Sequence, residues 1–240
     1  MILNYNINGN NRSKSEKVII IQRLYGNADS WLRVAKQLDN RFEIHLLDCR
    51  NHGKSFHDNN HSYSVMTEDL LNYLKSNGLE KVNLIGHSMG GKVAMNFSQK
   101  YSEKINKQVI ADIFPRDYKK LNTQSSHINF HLNLISLFKT LEPNRFSRCK
   151  EFSDSLADID FNIKNIILKN IKKEEGKLQW RINVDAIFNN LDNILAGFCA
   201  DDFIDNKIKT ESLFLKGEKS DYIEKNDEKL IQYIFSNSKI

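Results

Sequence analysis

Two kinds of hydrophobic pattern alternate along the chain. Short, nearly continuous apolar runs stand at Val18–Ile21, Phe42–Leu47, Val82–Ile85 and Gln108–Ile113. Their length and β-branched content predict strands buried on both faces. Between them, apolar residues recur every three or four positions. Trp31, Val34, Ala35 and Leu38 form one such set, Met66, Leu70, Leu71 and Leu74 a second, and Val93, Ala94 and Phe97 a third. That spacing predicts helices, the second over Val65–Leu79 with Gly78 as its stop. Strand and helix alternating from Val18 to Ile113 predict an α/β protein with a doubly wound, mostly parallel sheet. Upstream, Leu3, Tyr5 and Ile7 alternate with polar residues ahead of Asn8-Gly9, which reads as the first strand of a hairpin.

The pattern changes after Arg116. Through Asn206 the periodicity is helical, as at Ile128, Leu132, Ile135 and Phe138, and no strand stands out. Lys172-Lys173-Glu174-Glu175 reads as a solvated helix end. Leu213–Leu215 is a strand again, closed by Gly217, and Leu230, Ile231 and Ile234 set a last helix. A helical block between strands of one sheet predicts a lid over the strand ends. The expected organisation is therefore one core domain, residues 1–115 and 207–240, carrying a lid over 116–206.

Composition narrows the function classes. The net charge of +5 is scattered among nearly as many acids, with no basic block, so nucleic acid is not an expected partner. No apolar run is long enough to span a bilayer. The start, MILNYNINGNNRSKSEK, lacks the basic region and apolar core of a secretory signal. Cys49, Cys149 and Cys199 are odd in number, far apart and without metal-binding spacing. A reducing cytoplasm is the expected location, and neither a metal nor a cofactor is expected.

The chemistry-bearing stretch is Gly86-His87-Ser88-Met89-Gly90-Gly91, directly after the Val82–Ile85 strand and ahead of a predicted helix. Strand, G-x-S-x-G, helix is the pattern of a nucleophile elbow. The chain must reverse so tightly at Ser88 that side chains two positions away would collide, hence Gly86 and Gly90. The following helix aims its unpaired N–H groups at the same place, so the Met89 N–H is a candidate oxyanion donor. A serine nucleophile implies acyl transfer followed by hydrolysis.

Further motifs make the pattern specific. Asp48-Cys49-Arg50-Asn51-His52-Gly53-Lys54-Ser55, Gly86–Val93, Asp112-Ile113-Phe114-Pro115, Leu168-Lys169-Asn170 and Trp180-Arg181-Ile182-Asn183 together resemble the α/β-hydrolase superfamily. Within it they are similar to the small carboxylesterase group of bacterial YbfF-type acyl esterases and eukaryotic abhydrolase-domain proteins. The resemblance spans nearly the whole chain. It implies hydrolysis of small carboxylic esters or acyl thioesters through an acyl-Ser88 intermediate. It ranks Asp112 first as the triad acid, with Asp221, after the next strand, as the alternative. It also implies that the loop after the first buried strand supplies a second oxyanion donor, the Leu24 N–H.

Two departures stand beside the resemblance. Where the family carries His-Gly, this chain has Gln22-Arg23, and an arginine in place of glycine is expected to disturb the Leu24 donor. The family's G-H-W-x-H loop, which bears the catalytic histidine, has no counterpart in these 240 residues, so the last strand and helix of the fold are expected to be truncated. His87 should point away from Ser88, His52 reads as part of a structural turn, and His127 and His131, four apart, would line the pocket from the lid. The alternative function is an inactive pseudoenzyme, or a ligand- or partner-binding remnant of the same fold.

Overall fold

A computed structural model describes residues 2–9, 15–118, 126–195, 206–218, 220 and 227–240. The first half builds the sheet: β1 (Tyr5–Asn8), β2 (Glu16–Ile21), β3 (Phe42–Leu47), β4 (Val82–His87) and β5 (Ile105–Ala111). Helices α1 (Leu32–Leu38), α2 (Tyr63–Ser76) and α3 (Met89–Lys100) connect them. After β5 come α4 (Ser126–Thr140), α5 (Cys149–Asp154), α6 (Phe161–Lys169), β6 (Ile171–Glu174), β7 (Lys177–Trp180), α7 (Val184–Asn189) and α8 (Leu191–Leu195). The chain then returns to the sheet with β8 (Glu211–Leu215), α9 (Glu228–Ile234) and β9 (Ser238–Lys239).

The main sheet has seven strands in the order β1-β3-β2-β4-β5-β8-β9. Every neighbouring pair is parallel except β1 with β3. The sheet separates two apolar layers. On one face Val18, Ile20, Ile44 and Leu46 pack against Ala28 and Ala35 and the α1 side chains Leu32 and Leu38. On the other, Ile19, Ile21, Leu47 and Leu84 pack into the larger cluster with α2, α3 and the α4–α8 segment. Adjacent residues of β2 thus serve opposite layers, which is why its run Val-Ile-Ile-Ile is apolar throughout.

Two sequence expectations need correction. Leu3–Ile7 does not form a hairpin with the next strand. β1 pairs antiparallel with β3, Tyr5 opposite Leu47, because both edges of β2 are taken by β3 and β4. The segment between β5 and β8 also contains strands: β6 and β7 form an antiparallel hairpin, with Lys172 opposite Gln179. Lys172-Lys173-Glu174-Glu175 is therefore strand and turn, with Glu175 at φ 49 and Gly176 at φ 81, and not a helix end.

Candidate active site

Four neighbouring strands end in the same way. Tyr25 after β2, Asn51 after β3, Ser88 after β4 and Asp112 after β5 all have left-handed backbones, with φ of 60, 64, 52 and 52. Such conformations are costly for residues with a side chain and persist where the surroundings over-determine them. Here they lie along the carboxyl edge of a parallel sheet, where ligands of this architecture bind.

Ser88 is the turn between β4 and α3. Its N–H donates to the Ala111 carbonyl at 2.9 Å, and its own carbonyl takes the first helical bonds, from Gly91 at 2.8 Å and Lys92 at 3.1 Å. The Met89 N–H stays outside the helix ladder. A Cβ on Gly86 would run into the backbone of Gly90, and one on Gly90 into the carbonyls of Ile21 and Gln22. Both glycines are thus required by close backbone approach. Asp112 sits one strand over. The last β4–β5 pair is His87 with Ala111, so Ser88 and Asp112 follow it on adjacent strands. The Asp112 N–H donates to the Leu215 carbonyl at 2.8 Å. Its Oδ1 is buried and has no hydrogen-bond partner among the described residues. Asp221, the alternative acid, lies outside the described residues.

Ser88 opens on a cavity of about 30 Å³, room for a water or two, walled by Leu24, Met89, Ile113, Ile194, Leu195, Tyr63, Tyr118, Lys92 and His131. Arg23 does not push its loop out of this site. Its carbonyl accepts the Gly26 N–H at 2.9 Å, closing a tight turn, and Leu24 stays on the cavity wall. Gln22 is fully buried, and neither amide atom has a partner among the described residues. His87 faces away, as expected: it lines a separate pocket of about 300 Å³ on the α1 side, 5.9 Å from the Trp31 ring. His131, from α4, shares the Ser88 cavity and lies 5.9 Å from the Tyr25 ring. Ser88 Oγ makes no hydrogen bond with any described residue. The side chain of His127 lies outside the described residues.

Lys92 is the wall residue that the sequence reading missed. It is 1% exposed, donates to the Arg116 carbonyl at 3.2 Å, and holds its ammonium 4.7 Å from the Tyr118 ring and 5.6 Å from the Tyr63 ring. Burial pushes its pKa down to about 7. The signal was available: four residues past Ser88 on one helix means the same face, one turn on.

The loop motifs hold the edge of this site together. Asp48 Oδ1 accepts the Ala28 N–H at 2.8 Å, and its Oδ2 accepts the Lys54 N–H at 3.0 Å and the Asn4 side-chain amide at 2.9 Å. His52 Nδ1 donates to the Arg50 carbonyl at 2.9 Å, and Nε2 accepts the Tyr25 N–H at 3.2 Å. Asn170, just past α6, donates to the Tyr25 carbonyl at 3.0 Å, and Asn27 donates to the Lys169 carbonyl at 3.2 Å. The Asn183 N–H donates to the Asn51 carbonyl at 3.0 Å.

Residues 17–152 match the family model described as the alpha/beta hydrolase fold, more than half of the chain. This chain belongs to the α/β-hydrolase family. The hydrolase is also similar to curated esterases and lipases. It is 32% identical to the sn-1-specific diacylglycerol lipase ABHD11 of Danio rerio, over 93% of this chain and 70% of that one. It is 27% identical to esterase YbfF of Escherichia coli, over 77% of this chain and 69% of that one. Among solved structures, a marine microorganism esterase superposes with a TM-score of 0.91 at 39% identity, covering 99% of this chain and 89% of the other. These relatives place the hydrolase in the esterase group of its family. No helix among its described residues is long and apolar enough to cross a membrane.

Proposed function

We propose that this hydrolase cleaves small carboxylic esters or acyl thioesters by acylating Ser88. The observation that carries the reading is the pairing of strand ends: Ser88 and Asp112, both left-handed, follow adjacent strands, and Ser88 shares its cavity with Ile113, the residue after Asp112. Ser88 is the nucleophile at a strained elbow. The Met89 and Leu24 N–H groups are the oxyanion donors. Asp112, whose buried Oδ1 has no partner among the described residues, is the acid that would orient an imidazole, and Asp221 is its alternative. The segment 116–206 acts as a lid, since α8 and Tyr118 contribute to the cavity wall. The apolar wall and the relatives' names, esterase and diacylglycerol lipase, support an apolar acyl group.

The proton acceptor sets the expected rate. No described histidine is hydrogen-bonded to Ser88 Oγ. A triad without its histidine retains roughly 10³–10⁴ over water from binding and the oxyanion hole. Turnover of a short p-nitrophenyl ester is expected at that level with or without Ser88, and to rise on addition of free imidazole only where Ser88 is present. An imidazole-dependent rise that persists in Ser88→Ala overturns the reading. Hydrolysis at full esterase rate without imidazole overturns the impaired form of it. That Ser88 Oγ bonds to none of the described residues also favours a second reading, a ligand-binding remnant, for which ester analogues bind and neither imidazole-dependent turnover nor fluorophosphonate labelling of Ser88 occurs.

A further inference from the structure

The Arg23–Gly26 turn is the part of the site with the least support of its own. Arg23 C=O and Gly26 N–H close it, and Tyr25, its third residue, has φ 60. A positive φ at that position is the mark of a type II turn, for which glycine or asparagine is the usual occupant. A tyrosine there is strained and needs outside contacts to hold it. The turn matters because of peptide planarity. The Arg23 carbonyl and the Leu24 N–H belong to one trans peptide, so fixing the carbonyl toward Gly26 turns the Leu24 N–H the opposite way.

Two side chains from distant elements grip Tyr25. The Arg50 carbonyl can only accept, so His52 Nδ1 carries the proton and Nε2 is left as an acceptor. That acceptor takes the Tyr25 N–H, the donor of the central peptide, whose orientation separates a type II turn from a type I turn. On the other side, Asn170 donates to the Tyr25 carbonyl. His52 and Asn170 are both fully buried, so water cannot readily replace either contact. Burial also holds the His52 pKa down to about 4, which keeps Nε2 an acceptor at neutral pH.

We infer that His52 is a positioning residue for the oxyanion site, pinning the central peptide of the Arg23–Gly26 turn so that the loop carrying the Leu24 N–H keeps its place, with Asn170 making the seating of the α6–β6 segment part of the same clamp. The catalytic part of this inference rests on the Ser88 reading above. The clamp itself does not.

Amide hydrogen exchange read by mass spectrometry tests the clamp without reference to activity. In His52→Ala, exchange of the amides of residues 24–26 is expected to rise at least tenfold, while that of β3, β4 and β5 is unchanged. Asn170→Ala is expected to raise exchange at the same residues. His52→Gln, whose side-chain carbonyl can accept the Tyr25 N–H, is expected to restore most of the protection. Protection at 24–26 that is unaltered in His52→Ala, or lost only together with the core strands, overturns the inference. Ester hydrolysis, measured with imidazole present, tests the link to catalysis: kcat is expected to fall ten- to a hundredfold in His52→Ala with KM within twofold. An unchanged kcat with raised exchange overturns that link. A wild-type chain with no Ser88-dependent hydrolysis sinks the Ser88 reading instead, and the exchange result still decides the clamp.

Discussion

Arg50 grips Asp69 with two prongs, Nε to Oδ2 at 2.6 Å and Nη2 to Oδ1 at 2.9 Å. The pair ties the loop after β3 to α2. Arg50 also donates to the Asn60 carbonyl at 2.9 Å, and its guanidinium lies 5.3 Å from the Phe56 ring. Both side chains are more than nine-tenths buried. Removing Arg50 leaves Asp69 as a buried charge without its guanidinium, at a cost of about 3–5 kcal/mol, whereas removing Asp69 leaves Arg50 a second carboxylate, Asp58 Oδ1 at 3.4 Å. Arg50→Ala is expected to lose stability of that order in urea unfolding, and Asp69→Ala less, because Arg50 keeps Asp58. The double variant should lose less than the sum of the two.

Gly90 meets the carbonyls of Ile21, the last residue of the central strand β2, and of Gln22 just after it, and the strand cannot move aside. Gly90→Ala is therefore expected to cost at the upper end of the usual overpacking range, about 1–3 kcal/mol. Gly78 meets nothing within 4 Å. It is left-handed at φ 62, so Gly78→Ala isolates the backbone term, on the order of 1 kcal/mol. Thermal unfolding of the two variants should separate steric clash from backbone strain.

Acid should destabilise the fold through its buried histidines. Burial lowers the pKa of His52 from 6.5 to about 4, and burial pushes His61 well down too. Between these values the unfolded chain binds protons that the folded chain refuses, so stability falls as pH drops below 6.5. For His52 the loss is complete below about pH 4 and amounts to about 3 kcal/mol. Urea midpoints measured from pH 7 to pH 4 should fall accordingly, and less steeply in His52→Gln.

Lys92 acts at the other end of the scale. Its folded pKa of about 7 lies below the ordinary 10.5, so the unfolded chain again binds the extra proton. Stability should rise with pH between 7 and 10.5. Lys92→Met removes that slope while keeping much of the apolar bulk between Tyr63 and Tyr118. Melting temperatures at pH 7 and pH 9 are expected to converge in the variant and to differ in the wild type.

The central strands were readable because burial on both faces leaves a one-dimensional trace: a run such as Val18–Ile21 has few other uses. β6 and β7 left no such trace. Only Ile171, Leu178 and the half-buried Trp180 pack inward, and the run of lysines and glutamates imitates a solvated helix. The partner of β1 was misread because Asn8-Gly9 signals a turn but not which strand edge is open. Ser88 was legible as a candidate from its glycine spacing, and Asp112 from the family resemblance together with its place at a strand end. His52 was legible only as a turn residue. Its bond to Tyr25 joins loops 27 residues apart, and nothing local to either announces it. Arg23 was expected to disturb the Leu24 donor; the left-handed residue of that turn is Tyr25, so the arginine itself needs no special backbone.

The hydrogen bond from Asn170 to Tyr25 spans 145 residues. Contacts of such separation close late, after the local helices and the nearer strand pairs have formed. A nascent chain can assemble β2 to β5 and the turn at Ser88 well before Asn170 leaves the ribosome. The last feature to mature would then be the geometry beside the nucleophile, so a newly made molecule can be compact, protease-resistant and still unfinished where its chemistry resides.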